Sequence, residues 1–298
     1  MAVHTEPTDA LPPEAIALKA EDLGIKKARR DTAGLLALAV LAGAFIALGG
    51  LFSTVAMSGG GAMPYGVTRL LGGLAFTLGL VLVMVGGAQL FTGDALMVMG
   101  WASGRLRVAE MMRVWGLVWI GNFVGAAGTA LLVFLSGQYA FGHAEVGRTA
   151  LYIANAKTAL PVWNAFFLGI LCNVLVCLAV WLSLGARSVA DKIVALVFPI
   201  TAFAAAGFEH CVANMYFIPL GALIQWGAPA GFWADLGTGG PDPHTTVTLA
   251  NFAARLAVVT LGNWIGGALF VGGVYWFAYR RGTRQEGIPP VAAHRRAA

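Results

Sequence analysis

Hydrophobic residues gather along the chain in six long runs, with polar positions collected between them. The runs lie at roughly 33–58, 69–100, 112–137, 162–184, 191–224 and 247–279, each long enough, at about 20 residues or more, to cross the hydrocarbon core of a bilayer as a helix. The pattern predicts an all-α membrane protein. The second and fifth runs are overlong, and each has a polar interruption near its middle. In the second it is Gln89-Leu90-Phe91-Thr92-Gly93-Asp94; in the fifth it is Glu209-His210-Cys211-Val212-Ala213-Asn214.

Three spans per half place the two halves in opposite orientations. Interrupted helices at matching positions of inverted halves point to a path through the bundle. The last span of each half carries a further match: Gly121-Asn122-Phe123-Val124-Gly125-Ala126 in the third and Gly262-Asn263-Trp264-Ile265-Gly266-Gly267 in the sixth. Small residues permit close helix crossings, and each Asn amide needs partners, because an unsatisfied polar group is costly in an apolar setting.

Composition agrees with the class. With 58% hydrophobic residues, 11% charged residues and a mean hydropathy of +0.77, there is too little polar surface to coat a soluble globule. The cations decide orientation. Lys26, Lys27, Arg29, Arg30, Arg105, Arg107, Arg113, Arg187, Lys192, Arg280, Arg281 and Arg284 fall on one side of a six-span arrangement. Arg69, Arg148, Lys157 and Arg255 fall on the other. The positive-inside rule then predicts that both termini are cytoplasmic, in a bacterial inner membrane. This bias accounts for the net charge of +5, which gives no reason to expect nucleic acid as a partner; contacts to membrane lipid are expected instead. Cys172, Cys177 and Cys211 all lie within spans, an odd set with neither a disulfide framework nor metal-ligand spacing. No cofactor or metal is expected.

The domain reading is a cytoplasmic N-terminal segment over 1–31, a six-helix transmembrane domain over 32–280 and a basic tail over 281–298. From Pro13 to Arg30 the sequence reads as a helix. Ile16, Leu18, Leu23 and Ile25 could form an apolar stripe suited to the membrane interface; a solvated lead-in is the other reading. Residues 283–298 read as a disordered tail.

Glu209 and His210 are the anomaly, the only charged or imidazole-bearing residues from Ile193 to Ala234. An ionisable residue at membrane depth is a functional-site hypothesis by default. The reference pKa of imidazole, about 6.5, would let His210 hold an anion by charge or hand it a proton within the physiological range. Thr92, in the opposing break, could reach it. Neighbours on a helix point about 100° apart, so Glu209 is expected to face the bundle and accept hydrogen bonds from freed backbone or from an Asn. Two half-helix N-termini meeting near the midplane would attract anions before any side chain is counted. Lys157 could draw anions to the other mouth, or simply snorkel to the interface.

At these residues the chain resembles the formate–nitrite transporter family. Gly207-Phe208-Glu209-His210-Cys211-Val212-Ala213-Asn214-Met215 looks like the second-half signature and Leu90-Phe91-Thr92-Gly93 like the first-half loop. The Gly-Asn motifs, Ala156-Lys157-Thr158 and the segment from Cys172 to Trp181 fit as well. The resemblance implies an aquaporin-like six-helix protomer in a homopentamer, with one pore per protomer. It implies His210 as the central histidine and Thr92 as the loop threonine. One constriction would fall on Phe76 and Phe203, the other on Leu80, Leu90, Phe91 and Val176. Lys157 would be the vestibule cation, and Glu209, Asn173, Asn214, Asn122 and Asn263 the polar groups supporting the pore. The N-terminal segment would lie under the cytoplasmic mouth. Formate is the expected anion, with nitrite or hydrosulfide as alternatives the shared motifs do not separate. An intramembrane enzyme built on Glu209 and His210 would need a nucleophile or metal set that the sequence lacks. A scaffold reading, in which the pair only fixes helix packing, leaves the matched breaks unexplained.

Overall fold

A computed structural model describes residues 10–282; the start of the N-terminal segment and the tail expected over 283–298 lie outside the described residues. Among the described residues every regular element is helical. In order come α1 (Pro13–Ala28), α2 (Thr32–Met57), α3 (Tyr65–Gly86), α4 (Phe91–Asp94), α5 (Val98–Ala102), α6 (Val108–Leu135), α7 (Glu145–Ala159) and α8 (Val162–Gly185). They are followed by α9 (Val189–Ala205), α10 (Cys211–Gly227), α11 (Ala230–Asp235), α12 (Leu249–Ile265) and, beyond a π-helical stretch at Gly266–Gly273, α13 (Val274–Tyr279). Five uninterrupted stretches are long and apolar enough to cross a membrane: α2, α3, α6, α8 and Leu249–Tyr279. The fifth apolar run is divided instead into α9 and α10, of 17 residues each. The second breaks late rather than in its middle, because α3 continues for 22 residues before the interruption.

Two close helix pairs explain the glycines of the repeated motif. A Cβ on Gly125 would drive into the carbonyl of Val40 on α2, and one on Gly266 into the carbonyl of Ile170 on α8. Only hydrogen fits at either position, so α2 on α6 and α8 on the sixth span approach backbone to backbone. Gly121 and Gly262 serve the same two crossings.

The chain enters and leaves the bundle at one end, which we call the basic end. There α1 is held against the bundle by its acidic side. Glu21, fully buried, accepts hydrogen bonds from Ser103 Oγ, Arg105 and Arg280, and Trp276 Nε1 donates to Ser103 Oγ. Lys19 Nζ donates to the Leu184 carbonyl. Burial first, then the charges of Lys192 and Arg187, hold that ammonium below the ordinary lysine range. Of the two sequence readings of this segment, the solvated lead-in is excluded: Ile16, Ala17, Ala20 and Gly24 are buried against the bundle.

At the far end lies α7, which the hydropathy pattern did not predict as an element. It packs on α10 and α12, and its Asn155 and Thr158 are tied to Thr246 by hydrogen bonds.

Candidate functional site

The two breaks are built alike. Gly87 and Gly207 take φ of 82° and 76°, a left-handed conformation that side chains rarely adopt, and each ends its helix. The chain then extends through Leu90 (φ −112°) and His210 (φ −112°) before a new helix starts at Phe91 and at Cys211. Such a break frees backbone groups that membrane hydrocarbon cannot satisfy. One asparagine serves each break. Phe91 N–H donates to Asn122 Oδ1 at 2.9 Å, and Asn122 Nδ2 donates to the carbonyls of Ala39 (2.7 Å) and Gln89 (3.0 Å). Cys211 N–H donates to Asn263 Oδ1 at 2.8 Å, and Asn263 Nδ2 donates to Gly169 and Glu209 carbonyls, both at 2.8 Å. The amides of Gln89 and Glu209 in turn reach the carbonyls of Leu38 and Leu168. The inverted repeat is therefore visible bond by bond.

A charge pair flanks each break, with the acid and the amide exchanged between halves. In the second half Glu209 precedes the new helix; its Oε1 accepts from Lys157 Nζ at 2.8 Å and its Oε2 from Asn214 Nδ2 at 2.7 Å. In the first half the carboxylate is Asp94, one turn into the helix; it accepts from Lys27 Nζ at 2.7 Å and from Gln89 Nε2. Glu209 thus braces the break, though chiefly through a lysine the sequence reading had placed in the vestibule alone. By the same match α7 is the counterpart of α1. From sequence Lys27 was only an orientation charge and Asp94 only part of the polar interruption; their pairing was not expected. The available signal was positional: Lys27 precedes the start of α2 by as many residues as Lys157 precedes α8.

Between the breaks Thr92 Oγ1 lies 3.0 Å from His210 Nε2. His210 also caps its own half-helix, since Ala213 N–H donates to Nδ1 at 3.0 Å. That bond fixes the neutral tautomer: Nδ1 is the acceptor, so Nε2 carries the hydrogen and donates it to Thr92 Oγ1. The threonine hydroxyl hydrogen is left to seek another acceptor. Thr92 is itself held from behind, its carbonyl accepting from Asn173 Nδ2 and from the Cys177 thiol. Asn173 Nδ2 also reaches the Asn263 carbonyl at 2.6 Å, which joins the two breaks.

Toward the α7 end, the Phe203 ring lies 5.9 Å from the His210 ring and 5.5 Å, edge on, from that of Phe76. Phe217, which the sequence reading did not single out, stacks on Phe76 at 6.4 Å and lies 5.6 Å beneath Lys157 Nζ. Toward the basic end a cavity of about 240 Å³ opens beneath α1, lined among others by Leu80, Leu90, Lys26, Lys27 and Arg30. Phe91 and Val176, expected with Leu80 and Leu90, are buried but are not among its lining residues.

A helical bundle with two inverted breaks, sealed by aromatic and apolar residues and centred on a Thr–His contact, defines a membrane channel-type protein. The chain belongs to the formate/nitrite transporter family, whose description matches residues 14–277. It is 42% identical over 276 residues to the formate channel FocA of Escherichia coli (strain K12), covering 92% of this chain and 96% of that one. It is 32% identical over 256 residues to the nitrite transporter NirC of the same strain, covering 84% and 85%. A solved structure described as a pentameric formate channel with formate bound superposes with a TM-score of 0.79 at 40% identity, over 83% of this chain and 97% of that one. The chain is an integral membrane protein with the aquaporin-like fold of that family.

Proposed function

We propose that this chain conducts formate across the membrane in a pH-dependent way, through one pore per protomer. The observation that carries the reading is the Thr92–His210 contact, set where two half-helix N-termini converge. The anion approaches past Phe76 and Phe203 or through the cavity bounded by Leu80 and Leu90, with Phe91 and Val176 closing the wall behind. At the centre it accepts the Thr92 hydroxyl hydrogen, in the field of the half-helix dipoles. A second proton on the ring goes on at Nδ1 and ends the Ala213 cap. The doubly protonated His210, charged by a proton from the aqueous mouth, then holds the anion by charge. It can pass that anion a proton, which leaves the ring neutral and lets a neutral acid cross the apolar constrictions. Lys157, balanced by Glu209, forms part of one vestibule wall, and Asn122, Asn173, Asn214 and Asn263 hold the frame. We place both termini in the cytoplasm of a bacterial inner membrane, from the cations at the basic end, and assign a homopentamer, from the assembly named for the solved relative.

Formate leads because a relative named for it matches at 42% identity, against 32% for a relative named for nitrite. The test is anion flux into proteoliposomes holding the purified chain, comparing formate, nitrite and hydrosulfide from about pH 5 to pH 8. Formate should move fastest per protomer. Faster nitrite or hydrosulfide flux across that range would reassign the substrate.

A further inference from the structure

Arg69 sits on α3 two turns before Phe76, on the face that meets α9. Its Nε donates to the Ala205 carbonyl at 3.1 Å and its Nη2 to the Ala204 carbonyl at 2.6 Å. Those are the last carbonyls of α9 before the second break. The other recorded contact of the guanidinium is a loose one of 3.9 Å to Met57 Sδ. No carboxylate reaches it among the described residues.

Lys157, at the same mouth, is in a different state. Its ammonium is matched by Glu209 at 2.8 Å, so the pair adds a dipole and little net charge. The partners of Arg69 are peptide oxygens. They take two of its five N–H hydrogens and, as the C-terminal carbonyls of α9, offset only part of its charge. Two carbonyls on one planar fork also suit arginine better than lysine.

We infer that Arg69 is a positioning residue for the transported anion: it brings a positive charge with no carboxylate partner to the α7-side mouth and concentrates anions above the aromatic constriction. Lys157 is chiefly a partner of Glu209. The inference rests on the anion-conducting reading above and deepens it. Electrostatic attraction into a low-dielectric mouth raises capture rather than the rate of passage, and it fades as salt screens it.

The test is formate uptake into proteoliposomes by the wild-type chain and by Arg69→Gln, Arg69→Lys and Met57→Glu. It is measured against formate concentration at ionic strengths of about 0.01 M and 0.15 M. Arg69→Gln should raise the half-saturating concentration roughly threefold to tenfold at low salt, with maximal flux nearly kept and the difference shrinking at high salt. Arg69→Lys keeps the charge but loses the paired carbonyl contacts, and it should retain most of the capture. Met57→Glu leaves those contacts in place and brings a carboxylate to the guanidinium; it should reproduce the Arg69→Gln defect, with Met57→Gln as the control. Should Arg69→Gln fail to assemble, Met57→Glu carries the test alone. The inference is overturned if Arg69→Lys is as impaired as Arg69→Gln, which would mark a helix cap only, or if Met57→Glu leaves half-saturation unchanged. A wild-type chain that moves no anion would instead overturn the functional reading itself.

Discussion

Thr92 and His210 meet at 3.0 Å across 118 residues of chain. The ring donates from Nε2 because Nδ1 is already committed to the Ala213 amide, so the threonine is an acceptor toward histidine and keeps its own hydrogen to donate. Thr92→Ala removes the hydroxyl that meets His210. It should lower formate flux on order of tenfold with little change in melting temperature, because a single side-chain hydrogen bond is worth about 1 kcal/mol in stability. Thr92→Ser should stay within about twofold, keeping the same donor and acceptor. Flux assays paired with thermal melts of the detergent-purified chain check both.

Asn122 and Asn263 each close three hydrogen bonds around a broken helix. Asn122→Asp is nearly isosteric, yet it sets a carboxylate oxygen against the carbonyls of Ala39 and Gln89. It should destabilise the fold by about 3 kcal/mol or more, read as a melting temperature several degrees lower. Asn263→Asp should do the same. Unchanged melting in either variant would contradict the bracing role.

The Glu209–Lys157 pair is nearly dry, with side-chain exposures of 5% and 14%. Glu209→Gln strands a buried ammonium and should cost about 3 kcal/mol. Lys157→Met combined with Glu209→Gln should recover much of that, since an uncharged pair of similar bulk is often tolerated. A double-mutant cycle on thermal stability reads the coupling directly, and simple additivity would argue against it.

Gly125 and Gly128 lie one turn apart on α6 and differ only in what they face. Gly125→Ala pushes a methyl group into the Val40 carbonyl, whereas nothing lies within 4 Å of a Cβ on Gly128. The first substitution should abolish accumulation of folded protein in the membrane. The second should leave it unaltered or slightly raised, because alanine favours the helix. Immunoblots of membrane fractions suffice to compare them.

The frame was legible because membrane hydrocarbon punishes polar groups severely. Gln89 through Asp94, Glu209 through Asn214 and the two Gly-Asn motifs stood out against apolar runs, and the breaks and their asparagines lie there. Other features were hidden for physical reasons. α7 is too polar and short to register in a hydropathy pattern, although its Lys157 reaches Glu209. The Lys27–Asp94 pair joins residues 67 apart, so nothing local announces that contact, although the resemblance already implied that the N-terminal segment lies under the cytoplasmic mouth. Arg69 looked like a topology charge at a span edge; only the packing of α3 on α9 brings its guanidinium to the carbonyls of Ala204 and Ala205. Of the break in the second run, only the exact end of α3 was unreadable, since it is set by the left-handed turn at Gly87 and not by hydrophobicity.

The most direct measurement is formate flux through the purified chain in proteoliposomes from about pH 5 to pH 8, with His210→Asn beside the wild type. Asparagine can keep an acceptor for the Ala213 amide, in place of Nδ1, but cannot take up a proton in this range. The account predicts flux that changes with pH in the wild type and a flat profile in the variant. A variant that folds and keeps the wild-type pH dependence would contradict it.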